Sequence, residues 1–397
     1  MLRRLRLKNF YSIKEELEVS LLLNAKTPVD FRSMPTLDEK KASKVLAFVG
    51  ANASGKTNIL KSLAFLDWFV GDSFMRLGPD EEIPVSPHFS NPHEPVEMEA
   101  EFEIDENIWE YRLVLTKQQV LHESLYRKGY RFVYVFKRDW DEAGQKYQIK
   151  LKEEDFDFDK KEAEKVRKNA SLIATAAQYN QPLALRFSRL NIETNLTMLG
   201  KYNFNASTQL VNAAVLFHQQ KEIKDQMSRL LSQWDLGLSG VTIKEHKVTD
   251  ADGKKETIYL PFGRHRIAGK DYELILLEES GGTKSAFVLL GKVLPILKVG
   301  GLAVIDELES DLHPHMLAAI LELFFSPITN PYNAQIIFST HSHEILNMLH
   351  KEQIILVEKN KDLNTDAWRL DDIEGVRSDD NFYAKYMAGA YGGVPEI

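Results

Sequence analysis

The chain has 397 residues, of which 44% are hydrophobic and 27% charged; at about 150 residues per domain it holds two or three globular units and is neither a disordered nor a fibrous chain. It contains no cysteine, which excludes disulfides, thiol nucleophiles, iron–sulfur clusters and cysteine-ligated zinc and suits a reducing compartment. Fifty Lys and Arg against 58 Asp and Glu give a net charge of −8, no polycation; no apolar run reaches the roughly 18 residues of a membrane span, so a cytoplasmic protein without a membrane partner is expected.

The N-terminus, Met1-Leu-Arg-Arg-Leu-Arg-Leu7, alternates basic and apolar residues and reads as a first strand, not as the unbroken apolar core of a signal peptide. Val45–Val49 is a short continuous apolar run followed by a glycine-rich turn, after which Ile59, Leu60, Leu63, Leu66 and Val70 keep helical spacing. This α/β unit fills residues 1–95. Over 96–150 the period changes: Val96, Met98, Ala100, Phe102 and Ile104 alternate with Glu97, Glu99, Glu101 and Glu103, the pattern of a strand with one wet face. A hairpin turn at Asp105-Glu106-Asn107, a second strand through Tyr111, Leu113 and Leu115 and a third over Arg131–Lys137 make this an inserted antiparallel β lobe.

Residues 151–240 open on the charged stretch Lys152–Lys168 and continue to about Leu236 as a polar-rich, largely helical insertion. Residues 241–397 return to α/β character. Thr249-Asp-Ala-Asp-Gly253 marks a hairpin turn, Phe287, Leu290, Leu294 and Leu297 have helical spacing, and Leu302–Ile305, Ile336–Phe338 and Ile354–Val357 are further continuous apolar runs. Continuous runs suit a parallel sheet covered on both faces, so the fold class is α/β with an inserted antiparallel β lobe and a helical lobe.

Gly50-Ala-Asn-Ala-Ser-Gly-Lys-Thr57 fits G-x-x-x-x-G-K-[ST] and has a buried strand before it and an amphipathic helix after it. Backbone N–H groups of such a loop close around phosphates, Lys56 reaches the β/γ oxygens and Thr57 offers a hydroxyl to Mg²⁺. Gly50, Asn52, Ser54, Gly55, Lys56, Thr57 and Asn58 are the candidate nucleotide-binding residues. Asp306 and Glu307 follow the Leu302–Ile305 run at the carboxyl edge of the expected sheet, where ligands of open α/β folds bind. Alone, such a pair is often a helix-terminal charge; with the phosphate loop it reads as a Mg²⁺ ligand, Asp306, and a base for the attacking water, Glu307. Glu279-Ser-Gly-Gly-Thr-Lys284 precedes an apolar helix, so Ser280, Gly281 and Gly282 either cap an ordinary turn or present an anion-binding helix start. His341 ends the next expected strand, within reach of a γ-phosphate. His313, His315, His341 and His343 lack the spacing of a zinc site.

The order of phosphate loop, Ser-Gly-Gly at 280–282, Asp-Glu at 306–307 and His341 resembles the ABC-type P-loop ATPase head of SMC proteins and their relatives. The resemblance implies ATP and Mg²⁺ as ligands and a homodimer or higher oligomer in which Ser280 and Gly282 complete the γ-phosphate site of another subunit. Glu309-Ser-Asp-Leu-His-Pro314 looks like the D-loop and Leu-His-Pro run of the overcoming-lysogenisation-defect and abortive-infection branch. Arg3, Lys8, Asn9 and Phe10 match that branch's first strand, whose side chains lie near the nucleotide. Tyr386–Pro395 is similar to the ending of RloA-like ATPases, a bacterial group found near restriction and phage-defence genes. The signature departs from the transporter pattern at Glu279 and Thr283, and the Q-loop glutamine has only Gln118 and Gln119 as candidates.

The interval between Thr57 and Ser280 has room for a compact lobe but shows no sustained heptads, which argues against a tethering SMC protein, and it is too long for a transporter's helical subdomain. The stretch after His341 is too short for a Toprim nuclease, so a nuclease or toxin effector is expected as a separate chain. The resemblance thus implies an ATP-hydrolysing dimeric switch of an anti-phage system. The alternative is a DNA-binding, SMC-like repair ATPase, whose nucleic-acid track would be Arg127, Lys128, Arg131, Lys137 and Arg138. A scaffold that binds ATP without turnover is disfavoured by the presence of Glu307.

Overall fold

The computed structural model describes residues 1–152, 154–249 and 255–394. All five residues of the strand Val45–Val49 are buried, because both faces of the sheet are covered. Its alternate side chains enter different cores: Leu46 and Phe48 pack with the helix Lys56–Arg76, whereas Val45, Ala47 and Val49 pack with the helices Gly281–Val299 and Pro314–Phe325. The strand lies at the centre of a six-stranded sheet. Gln335–Ser339 and Ile354–Lys359 flank it in parallel, Leu302–Ile305 follows beyond the first, and Thr365–Arg369 closes the far edge antiparallel. All four apolar runs therefore form one parallel sheet.

The remaining edge is taken by Ile192–Thr194, which pairs in parallel with Leu302–Val304. This strand interrupts the largely helical segment 151–240. The segment does carry the helices Leu172–Gln178, Pro182–Phe187, Ser207–Gln219 and Lys221–Gln233, but a three-residue strand with no apolar run of its own breaks them.

The antiparallel lobe is a seven-stranded sheet. Its hairpin turns at Asp105 and Glu106, both left-handed, between Val96–Ile104 and Asn107–Leu115. The N-terminal strand Leu2–Lys8 joins it by pairing with Val96–Ile104, and Leu17–Ser20 adds one edge. Lys146–Leu151 alternates exposed and buried residues, whereas Val120–Lys128 is a strand without a clean apolar alternation. The reason is visible for Val120–Lys128 and its neighbour Phe132–Asp141: their core-facing positions include Glu123 and Arg138, both fully buried. Glu123 accepts from Tyr111 Oη (3.0 Å), Ser171 Oγ (2.6 Å) and Leu172 N (2.9 Å), and Arg138 donates to Ala170 O (2.7 Å). The pair thereby ties the sheet to the helix Leu172–Gln178. A smaller sheet, Gly240–Thr249, Lys255–Ile267 and Lys270–Ile275, precedes the second α/β block. Its first two strands pair antiparallel around the expected 249–253 turn, of which residues 250–253 lie outside the described residues. Among the described residues no helix is long and apolar enough to cross a membrane.

Candidate functional site

The parallel strands end together, so the turns that follow them meet at one sheet edge. A cavity of about 320 Å³ there is lined by Asn52, Ser54, Gly55, Lys56, Thr57 and Asn58 of the phosphate loop, by Asp306, Glu307, Ser339 and His341 of the neighbouring strand ends, and by Ser12 and Lys359. Gly55 has φ +112°, and a Cβ there would overlap Thr365 Oγ1; at Gly50 a Cβ would overlap Val357 O. Glycine at both ends is what lets the loop close against the strand Ile354–Lys359 and the Thr365 side chain.

One chain of hydrogen bonds joins the loop to the acidic pair. Thr57 Oγ1 donates to Asp306 Oδ2 (2.9 Å), Ser339 Oγ donates to Asp306 Oδ1 (2.6 Å), and Ser339 Oγ accepts from Glu307 N (2.7 Å). Asp306 is nearly fully buried, while Glu307, at φ +50°, turns its side chain toward the cavity mouth. Lys56 Nζ donates to Gly50 O (2.8 Å) and Ala51 O (2.9 Å), and burial pushes its ammonium below the ordinary lysine range, opposed by Asp306, Glu309 and Glu307. Burial, and then the Lys56 charge, likewise lower the His341 imidazole, so its neutral form is favoured. A hydrogen bond from Lys201 holds Glu307 below its ordinary value, with Ser310 and His341 adding to the effect.

A family model described as "AAA domain, putative AbiEii toxin, Type IV TA system" matches residues 45–347, well over half of the chain and all of the site's parallel strands except Ile354–Lys359. The chain belongs to this AAA-domain family. Its six-stranded, mostly parallel sheet carries the phosphate loop and the acidic strand end, and a seven-stranded antiparallel sheet is inserted beside it. Among solved structures, the chain is similar to an SMC head bound to the C-winged helix domain of ScpA, at 13% identity over 94% of this chain and 98% of that one, with a TM-score of 0.49. The SMC head domain from Thermotoga maritima aligns at 15% identity over 93% and 98%, TM-score 0.44. An SMC head with an extended coiled coil, bound to the C-terminal domain of ScpA derived from Pyrococcus furiosus, aligns at 14% over 94% and 97%, TM-score 0.47. No curated protein matches.

Within this AAA-domain chain, Ser280, Gly281 and Gly282 do not line the cavity. Ser280 caps the helix Gly281–Val299, its Oγ accepting from Thr283 N (3.2 Å). The helix start is held against Asp311: Ser285 Oγ donates to Asp311 Oδ2 (3.2 Å), and a Cβ on Gly282 would come within 2.9 Å of Asp311 O.

One expectation is corrected, and two sets of open candidates take other places. Arg3, Lys8, Asn9 and Phe10 stand away from the cavity: Arg3 is buried among Asp38, Glu101 and Glu103, Lys8 pairs with Glu97 (2.9 Å), Asn9 Nδ2 donates to Glu94 O (2.8 Å), and Phe10 is core. These side chains stitch the first strand into the antiparallel sheet, and Ser12 reaches the cavity in their stead. Gln118 and Gln119 lie in the turn between two strands of the antiparallel sheet, where Gln118 Nε2 donates to Glu82 Oε1 (3.3 Å). The position beside the acidic strand end belongs to Asn195, which donates to Asp306 O and accepts from Asp306 N, both at 2.8 Å. The proposed basic track is largely neutralised: Arg127 pairs with Asp155 (2.6 Å), Lys128 with Asp38 (2.9 Å), and Arg138 is internal.

Asn195, Lys201, Ser339, Ser12, Lys359 and Thr365 are site residues that sequence reasoning missed. Thr365 Oγ1 donates to Ser54 O (2.9 Å), and Asn58 Nδ2 donates to Ser12 Oγ (2.6 Å), so both hydroxyl side chains brace the phosphate loop. Only Ser339 carried a signal, as the first residue of Ser339-Thr-His341 at a strand end.

Proposed function

We propose that this chain is an ATP-hydrolysing dimeric switch, the RloA-like ATPase component of a bacterial anti-phage defence system that acts with a separately encoded nuclease or toxin. The observation that carries the hydrolytic reading is the Thr57–Asp306–Ser339–Glu307 chain, which places a buried carboxylate and a half-exposed one on the rim of a phosphate loop. The residues fit Mg²⁺ and a triphosphate. Thr57 and Asp306 are hard oxygen donors side by side, and Ser54 Oγ is buried in the loop without a partner among the described residues. When bound, Mg²⁺ neutralises charge on the phosphate oxygens.

Lys56 then leaves its carbonyl partners for the phosphate, backbone N–H groups of 52–57 cradle it, and neutral His341 donates one hydrogen bond to a γ-phosphate oxygen. Glu307 takes a proton from the attacking water as that oxygen bonds to phosphorus, and ADP leaves. Ser280, Gly281 and Gly282 serve a second copy's nucleotide; this is supported by their absence from their own cavity and by a helix start whose N–H groups suit an anion. The defence role draws on the family description and on the resemblance of the sequence to abortive-infection ATPases. The neutralised basic track gives the repair reading no corresponding support.

Phosphate release and nucleotide binding, measured on the same samples, test the proposal. Wild type turns over Mg-ATP, Lys56→Ala loses binding, and Glu307→Gln binds without turnover. Wild-type hydrolysis by Glu307→Gln refutes the assignment of the base.

A further inference from the structure

Directly after the edge strand Ile192–Thr194 the chain makes a tight excursion over the acidic pair. Thr197 N bonds Gly200 O (2.8 Å), Leu196 bridges Lys201, Tyr202 N bonds Asn195 O (3.0 Å), and Tyr202 Oη donates to Thr194 O (2.6 Å). This small hairpin aims Lys201 at Glu307. Lys201 Nζ forms an ion pair with Glu307 Oε2 and donates to Ser310 Oγ (2.9 Å), while Ser310 Oγ donates to the same carboxylate oxygen (3.2 Å). At its base the hairpin is anchored by Asn195 on the backbone of Asp306, and at its end by Asn205 Nδ2 on Asp311 Oδ2 (3.1 Å). Asp311 is the residue that holds Ser285 and crowds Gly282. A single segment thus touches the acidic pair, the turn after it and, through Asp311, the start of the Ser280-capped helix.

A carboxylate oxygen that accepts from both an ammonium and a hydroxyl is a weakened base, because its charge is already compensated and its lone pairs are engaged. The arrangement is not locked by burial: the Lys201 and Glu307 side chains are 21% and 42% exposed. Glu307 and Asp311 both have left-handed backbones, at φ +50° and +62°, the conformation of a turn that needs its surroundings to hold it.

We propose that Lys201 is a latch on Glu307, released through Ser310 and Asp311 when a second copy of this chain engages the Ser280–Gly282 helix start. This rests on the reading of Glu307 as the base and adds its regulation. Lys201 is a positioning residue: it does not line the nucleotide cavity, so it acts on turnover and not on ATP affinity. In the latched chain hydrolysis is slow, and in the assembled dimer it is fast, so ATP is spent only after the partner has docked.

The test measures kcat and KM of the full chain against protein concentration for wild type, Lys201→Met and Lys201→Arg, and the acetylation rate of Lys201 by mass spectrometry. Lys201→Met raises kcat of dilute protein by about tenfold at unchanged KM and weakens the concentration dependence, the effect of losing one charge-assisted hydrogen bond from a reacting carboxylate. Lys201→Arg retains the slow, concentration-dependent rate. Lys201→Met at or below the wild-type rate overturns the latch, as does Lys201→Arg matching Lys201→Met. Should Glu307→Gln hydrolyse ATP like wild type, it is the base assignment that fails, and acetylation then decides the latch on its own. Lys201 reacts several-fold faster in Glu307→Ala than in wild type if the pair holds it, and an equal rate means that no latch exists.

Discussion

Removal of the Ser339 hydroxyl isolates the contribution of the hydrogen-bond chain beneath the acidic pair. Ser339 is fully buried and serves two partners, donating to Asp306 Oδ1 at 2.6 Å and accepting from Glu307 N at 2.7 Å. In Ser339→Ala one oxygen of a buried carboxylate and one backbone N–H lose their partners together. A hydrogen bond to a charged group contributes about 1.5–3 kcal/mol. If that loss falls on the placement of Asp306 and Glu307 in the transition state, kcat drops by about 10- to 150-fold, at about 1.4 kcal/mol per decade. ATP affinity, set by the 50–58 loop and Lys56, changes by less than about threefold, since Ser339 bonds none of these residues and only shares the cavity wall with them. Phosphate release gives kcat, a fluorescent nucleotide gives affinity, and circular dichroism reports the fold. A folded Ser339→Ala protein with kcat within twofold of wild type refutes the role given to this chain.

In Gly55→Ala the new methyl overlaps Thr365 Oγ1 in a backbone at φ +112°, so nucleotide binding is lost while the melting temperature falls by only a few degrees; retained binding contradicts the loop geometry. Arg138→Met removes the ion-pair partner of the buried Glu123 inside the antiparallel sheet, a loss of about 3–5 kcal/mol in urea unfolding, and a loss under about 1 kcal/mol contradicts the structural role given to the pair. The Asp67 carboxyl is pushed up to about 7 by burial and by Asp72 and Glu193, against 3.8 when unfolded. The folded state holds that proton more tightly, so stability declines as pH rises from about 4 to 7. Asp67→Asn therefore melts higher than wild type at pH 8, and the gap narrows toward pH 5; a gap independent of pH contradicts the assignment.

The central sheet was legible because its strands are covered on both faces and leave continuous apolar runs such as Val45–Val49 and Leu302–Ile305. The phosphate loop was legible because a backbone cradle needs its glycines at fixed spacing. Ile192–Thr194 was not: three residues between helices, none fully buried, carry no periodicity, and only pairing with Leu302–Val304 defines the strand. Asn195 and Lys201 were hidden for the same reason, since they meet Asp306 and Glu307 across more than a hundred residues and neither sits in a motif. Arg3 and Arg138 misled in the opposite direction. By sequence Arg3 matches a nucleotide-side position and Arg138 a nucleic-acid track, whereas both are buried and paired.

The central claim, an ATP-driven dimer with Ser280–Gly282 acting across the interface, is tested most directly by the mass of Glu307→Gln protein in light scattering with and without Mg-ATP. The monomer is expected to double in mass on adding Mg-ATP, with no doubling when Ser280→Arg is added to the same protein. An unchanged mass at saturating nucleotide, or a doubling that survives Ser280→Arg, contradicts it.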